Sequence, residues 1–150
     1  MSNLLIVYHS HTGNTEAMAK AVADGAISAG ARVTLRKADE AAPEELLKCD
    51  TVIFGSPNEF GRMCGLLQDF FERTWLSADH SPGNIKYAAF TSGGSSQRTA
   101  LECIENTINS FNRRKPLKFT KISEGICGVR EQRTEALAAA HEFGKKIAVL

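Results

Sequence analysis

Six consecutive residues near the start of the chain combine short hydroxyl side chains with a glycine, and together they could bind a phosphate group. They are Ser10, His11, Thr12, Gly13, Asn14 and Thr15. Their hydroxyls can donate hydrogen bonds to an anion, and the unpaired N–H groups at the start of a following helix attract negative charge. Because this segment contains no Lys or Arg, a doubly charged phosphate would be held there by dipoles alone.

The residues on either side of this segment predict the elements that a phosphate-binding turn requires. The apolar run from Leu4 to Tyr8 predicts a strand covered on both faces. Apolar residues at helical spacing from Met18 to Ala29 predict a helix, which Gly30 ends. The segment lacks the Gly-Lys pair of a P-loop and the glycine pattern of a dinucleotide-binding turn. We therefore expect a strand–turn–helix phosphate site of another kind.

The rest of the chain alternates predicted strands with predicted helices. Strands are expected at 32–36, 51–55, 87–91 and 117–122, and helices at 43–47, 63–75, 101–111 and 133–149. Such alternation predicts an α/β fold in which helices cover both faces of a five-stranded parallel sheet. We expect one domain that spans residues 1–150.

Composition and charge limit the classes of function. The 150 residues are 43% hydrophobic and 23% charged with a net charge of +1, so neither a nucleic-acid groove nor a strongly acidic docking surface is expected. No apolar run reaches membrane-spanning length and no leader precedes the first predicted strand, which favours a cytoplasmic protein that does not bind membranes. The four cysteines form no C-x-x-C pair and no zinc-ligand pattern, so free thiols and no metal site are expected.

The first segment resembles the FMN phosphate loop of the flavodoxin superfamily, S/T-x-T-G-N-T, at each defined position. The resemblance implies a flavodoxin-like three-layer sandwich with strand order 2-1-3-4-5 and FMN as cofactor. In that order ligands bind beyond the carboxyl ends of strands 1 and 3. Three loops would meet there: residues 10–15, 56–63 and 91–97, called the first, second and third loops below.

The second and third loops resemble those of NAD(P)H:quinone oxidoreductases of the tryptophan-repressor-binding-protein type. Residues 55–63 are similar to their G-S-P-T-x-F-G-x-M segment, and residues 91–96 to their T-S-T-G-T-Q loop. The resemblance places the second loop along the isoalloxazine ring and the third loop near its polar edge. The implied cofactor-binding residues of these two loops are Pro57, Asn58, Glu59, Phe60, Gly61, Thr91, Ser92, Gly93, Gly94 and Ser95.

Two residues of the second loop have specific expected roles. Phe60 can pack against the ring, with an ordinary core phenylalanine as the alternative. Gly61 can adopt a positive φ, so that its peptide could turn and present a carbonyl to the N5–H of reduced flavin.

The expected function is NAD(P)H-dependent reduction of quinones or similar small acceptors. The third loop has no aromatic residue, so one face of the flavin would stay open to a nicotinamide, and no catalytic side chain is needed because the cofactor carries the reaction. The alternatives are a flavodoxin-type single-electron carrier between protein partners and a flavin-binding regulator of a partner. The resembled reductases carry an insertion that contributes to tetramer contacts, and this sequence is short enough to lack it, which leaves homo-oligomerisation open.

Overall fold

A parallel six-stranded sheet is the central layer of the computed structural model, which describes residues 2–150. Its strands are β1 (Asn3–Tyr8), β2 (Arg32–Lys37), β3 (Thr51–Pro57), β4 (Gly83–Gly93), β5 (Leu117–Lys121) and β6 (Ile126–Val129). Neighbouring strands follow the order β2-β1-β3-β4-β5, and β6 also pairs with β4. The predicted order is therefore confirmed, and the chain reverses its direction of winding between β1 and β3.

Of the four α-helices, three connect strands and the fourth follows β6. They are α1 (Asn14–Ser28), α2 (Gly65–Ser77), α3 (Thr99–Arg114) and α4 (Arg133–Ala148). The helix predicted at 43–47 is instead a 3₁₀ helix, Pro43–Lys48, because six residues that begin with proline are too few for a stable α-helix. Among residues 2–150, no helix has both the length and the apolar character that crossing a membrane requires.

The side chains of β1 alternate between two hydrophobic cores. Leu5 and Val7 are buried with the apolar residues of α2 and α3. Leu4 and Ile6 are buried on the other face, with α1 and α4. Since both faces of the strand are covered, its sequence is continuously apolar, as predicted. The fold is thus a three-layer α/β/α sandwich.

The strand β6 was not predicted from the sequence. The first half of β4 pairs with β5, whereas Phe90–Gly93 pairs with Ile126–Val129. A four-residue strand that contains a glycine has a weak sequence pattern, and its pairing with β4 is what establishes it. As a result, β6 ends beside the carboxyl end of β4, at the same edge of the sheet as the three loops.

Candidate functional site

The first loop leads into an uncapped helix. Gly13 has a left-handed conformation (φ 95°), and no side chain caps the amino terminus of α1. The N–H of Gly13 donates to Oγ of Ser10 at 3.0 Å. Within the described chain, the amides of Asn14, Thr15 and Glu16 donate to no backbone carbonyl. These N–H groups are therefore free to bind an anion.

Direct contacts join each pair of the three loops. Thr15 Oγ1 lies 2.6 Å from Ser92 Oγ, which connects the first loop to the third. The N–H of Asn58 donates to the carbonyl of Ser92 at 2.8 Å, which connects the second to the third. Nε2 of His11 lies 3.4 Å from Oε1 of Glu59, which connects the first to the second. The predicted meeting of the loops is confirmed, while their contact with a cofactor stays a prediction.

A tight turn places Phe60 at the tip of the second loop. Glu59 and Arg62 exchange backbone hydrogen bonds of 2.8 and 2.9 Å, and the two residues between them, Phe60 and Gly61, have φ values of 54° and 77°. Positive φ at both central positions is the geometry of a type I′ turn. The positive φ predicted for Gly61 is confirmed, and its N–H donates to Oδ1 of Asn58 at 2.9 Å.

The alternative that Phe60 is a core residue is wrong. The residue is 95% exposed, because the turn directs it away from both cores. A positive φ is strained for a residue with a side chain, costing on the order of 1–3 kcal/mol. Phe60 is thus a strained and exposed aromatic residue at the tip of a loop that meets the other two loops.

The third loop divides into a buried part and an exposed part. Thr91 and Ser92 are buried, and Oγ1 of Thr91 donates to Sγ of Cys127 at 3.3 Å. Gly93 is half-buried, whereas Gly94 and Ser95 are exposed. The hydroxyl of Thr91 therefore bonds to β6, whereas that of Ser92 bonds to the first loop.

Two cavities adjoin the contact between His11 and Glu59, and both residues line both cavities. The smaller, of about 120 Å³, is also lined by Thr12, Asn14, Pro57, Asn58, Ser92, Gly93 and Arg130. The larger, of about 450 Å³, is also lined by Phe60, Arg62, Met63, Gly65, Gln68 and Cys103. The smaller cavity thus brings together residues of all three loops.

Two arginines lie near the first loop, and sequence reasoning did not predict this position for either of them. Arg130 follows β6 and lines the smaller cavity. Arg133, the first residue of α4, donates from Nη1 to Oδ1 of Asn14 at 3.3 Å. The first loop itself lacks a cation, as expected, but the fold supplies positive charge from a segment more than a hundred residues away. The pairing of β6 with β4 brings this segment to the first loop, and the sequence pattern did not predict that pairing.

His9, which follows β1, is poorly suited to carry a charge. Burial lowers the pKa of its imidazole, the neighbouring His11 lowers it further, and Asp39 opposes these effects. The rings of His9 and His11 are in edge contact, with centroids 4.7 Å apart. His9 is therefore neutral at pH 7.

The lowered pKa of His9 predicts that the protein loses stability as the pH falls below neutrality. The unfolded chain binds a proton near pH ~6.5, but the folded chain does so only at lower pH. The free energy of unfolding should then decrease as the pH falls through this interval. Urea titrations between about pH 7.5 and 5.5 should show this decrease in the wild type and a smaller one in His9→Asn. An equally steep decrease in both proteins would contradict the assignment to His9.

The fold and site define a class of protein: an α/β sandwich with an uncapped helix start after β1 and two further loops at the same sheet edge. The chain belongs to the flavodoxin family, whose model matches residues 6–143. As a member of that family it is a flavoprotein with FMN as its cofactor.

Curated relatives that share part of their length with this chain are quinone dehydrogenases. The NAD(P)H dehydrogenase (quinone) of Archaeoglobus fulgidus is 36% identical over an alignment of 99 positions, and the match covers 49% of this chain and 52% of the relative. The NAD(P)H dehydrogenase (quinone) of Paracoccus denitrificans is 33% identical over an alignment of 130 positions, and the match covers 71% of this chain and 62% of the relative. The chain thus spans only about half to three-fifths of these relatives.

Solved structures share the fold over nearly the whole chain. An archaeal flavodoxin superposes with a TM-score of 0.78 at 23% identity and covers 98% of this chain and 96% of its own. The two-electron reduced flavodoxin of Megasphaera elsdenii gives 0.76 at 21% identity, with 98% and 99% covered. A WrbA-like flavodoxin from Agrobacterium tumefaciens gives 0.71 at 23% identity, with 99% and 96% covered.

The residues present at the site fit FMN. The uncapped start of α1 and the hydroxyl of Thr12, which is exposed, offer donors to a phosphate. The smaller cavity, which Thr12 and Asn14 of the first loop line together with polar groups of the other two loops, suits the phosphate and the polar chain of the cofactor. The exposed Phe60 offers an apolar surface to the ring.

Proposed function

We propose that this flavoprotein catalyses the NAD(P)H-dependent reduction of quinones or similar small acceptors. The observation that carries the proposal is the open third loop: residues 94–97 are exposed and none of residues 91–97 is aromatic. A nicotinamide or quinone must stack on the flavin at about 3–3.5 Å to react, and a loop without an aromatic cover leaves space for it. The activity of the curated relatives, which are quinone dehydrogenases, supports the same reaction.

The proposal assigns a role to each loop. The first loop, residues 10–15, would hold the phosphate through backbone N–H groups and hydroxyls. In the second loop, Pro57, Asn58, Glu59, Phe60 and Gly61 would bind the ring, with Asn58 keeping the turn in shape through its bond to Gly61. In the third loop, Thr91, Ser92, Gly93, Gly94 and Ser95 would bind the polar edge of the ring.

FMN supplies the redox chemistry when bound, since it can exchange either a hydride or single electrons. The protein would then bind, orient and desolvate the reactants. Phe60 would exclude water from one side of the ring, and the open third loop would admit the reactants on the other. We assign no catalytic side chain.

A second candidate function is that of a flavodoxin-type single-electron carrier. Membership of the flavodoxin family supports a carrier, whereas the open third loop favours the enzyme.

The partners and location that accompany the proposal are also open to test. We propose NAD(P)H and a small acceptor as partners, with a redox protein instead if the chain is a carrier, and homo-oligomerisation as a further association. A cytoplasmic location is supported by the four cysteines, all of which are free thiols.

The proposed enzyme predicts a specific response to NADPH. Purified protein loaded with FMN should lose its yellow colour within seconds when NADPH or NADH is added without oxygen, and a quinone should restore it. A carrier would stay yellow with the nicotinamide and, with dithionite, take up electrons in two separate one-electron steps. Loss of colour at the rate of free FMN would contradict the enzyme, and failure to retain FMN would contradict both functions.

A further inference from the structure

A phosphate bound at the smaller cavity would bring more negative charge than the backbone groups there can compensate. A phosphate monoester carries a charge close to −2 above its second pKa of about 6. Glu59 lines the same cavity, and its carboxylate lies 3.4 Å from Nε2 of His11. Helix dipoles oppose roughly half an elementary charge, so backbone groups alone leave much of this negative charge uncompensated.

Arg130 is placed to compensate it. The residue stands directly after β6, and the pairing of β6 with β4 puts it beside the carboxyl ends of the strands. Its side chain lines the smaller cavity together with Thr12 and Asn14 of the first loop. Across residues 2–150, no carboxylate forms an ion pair with Arg130, so its guanidinium is available to a ligand.

Arg133 differs from Arg130 in its surroundings. It donates to Oδ1 of Asn14 and so connects the start of α4 to the start of α1. This hydrogen bond holds the side chain of Asn14 beside the cavity. Arg133 is thus a positioning residue, whereas Arg130 faces the cavity without a protein partner.

We infer that Arg130 binds the phosphate of FMN and determines the preference of the site for FMN over riboflavin. The inference rests on the proposed FMN site and adds a residue outside the three loops. An arginine can donate two parallel hydrogen bonds to phosphate oxygens, and such charged pairs are stronger than neutral ones. Riboflavin lacks the phosphate, so it would gain nothing from Arg130.

The test compares two flavins on matched variants. Calorimetric titrations with FMN and with riboflavin at low ionic strength should show that Arg130→Gln weakens FMN binding by about tenfold, with riboflavin changed less than about twofold. Arg130→Lys should retain part of the difference, because lysine keeps the charge but not the fork of donors. Arg114→Gln removes the same charge from the far end of α3 and should leave both affinities unchanged.

A second measurement separates an ionic contact from a change of loop shape. The FMN affinity of the wild type should fall as salt is added, and this fall should be smaller in Arg130→Gln. Equal weakening of FMN and riboflavin, an unchanged FMN affinity in Arg130→Gln, or the same loss in Arg114→Gln would each overturn the inference. Those results leave the FMN site itself intact, whereas a wild type that binds no FMN would overturn the proposed function and the inference together.

Discussion

Replacing Gly144 with alanine is expected to destabilise the fold by about 3 kcal/mol or more. Gly144 lies in α4 at the point where this helix contacts α1. A Cβ atom there would fall far inside van der Waals distance of the carbonyl oxygen of Val22. Because the obstructing atom belongs to a helix backbone, only a separation of the two helices could relieve the overlap. Gly25, the corresponding close approach on α1, would place its Cβ against the carbonyl of His141.

Urea unfolding curves of Gly144→Ala and the wild type measure this effect directly. The matched control is Gly65→Ala, because a Cβ atom at Gly65 would have no other atom within 4 Å. Gly65 is the first residue of α2, so alanine should leave stability unchanged or raise it by about 0.5 kcal/mol. Equal unfolding midpoints for Gly144→Ala and the wild type would show that α1 and α4 are not in close contact.

The same substitution should also weaken FMN binding. The helix α1 begins within the first loop, and α4 begins three residues after Arg130. A separation of these helices would break the hydrogen bond from Arg133 to Asn14 and displace both sides of the smaller cavity.

Replacing Thr15 with valine is expected to weaken FMN binding by about 10- to 100-fold, from the loss of about 1.5–3 kcal/mol for a hydrogen bond to a charged group. Valine keeps the shape of the side chain but removes its hydroxyl. Thr15 is buried, and its Oγ1 lies 2.6 Å from Oγ of Ser92. In this pair one hydroxyl donates to the other, and the accepting hydroxyl keeps its proton for a ligand. In Thr15→Val, the hydroxyl of the buried Ser92 also loses its hydrogen-bond partner.

The variant Thr15→Ser is the matched control, since it keeps the hydroxyl and should retain most of the FMN affinity. Fluorescence titrations with FMN and riboflavin can compare the three proteins. We expect the loss in Thr15→Val to be larger for FMN than for riboflavin, because only FMN carries the phosphate. FMN affinity equal to that of the wild type in Thr15→Val would contradict a phosphate site at the first loop.

Much of the sheet and the first loop could be predicted from local patterns. The apolar run of β1 has its form because both faces of the strand are buried, and the hydroxyls and glycine that follow stand directly before a helix. These features depend on neighbouring residues, so the sequence displays them. The 3₁₀ conformation of Pro43–Lys48 and the strand β6 were missed because short segments have little pattern of their own.

Within the site, the orientation of Phe60 is a further feature that the local sequence pattern did not determine. An aromatic residue before a glycine is compatible with a core position or with a turn. The hydrogen bonds between Glu59 and Arg62 and the contact of Asn58 with Gly61 select the turn, and Phe60 is exposed as a result.

The sequence alone determined the alternation of strands and helices, the strand order through its resemblance, and a loop of hydroxyls and glycine at the start of α1. Local spacing is enough for the alternation and the loop, because hydrophobic period and turn chemistry act over a few residues. Only the tertiary structure decided that β6 joins β4, that Arg130 lines a cavity together with residues of the first loop, and that Thr15 bonds to Ser92. Each of these contacts joins residues far apart in the chain, and the packing of the whole sheet and its helices brings them together.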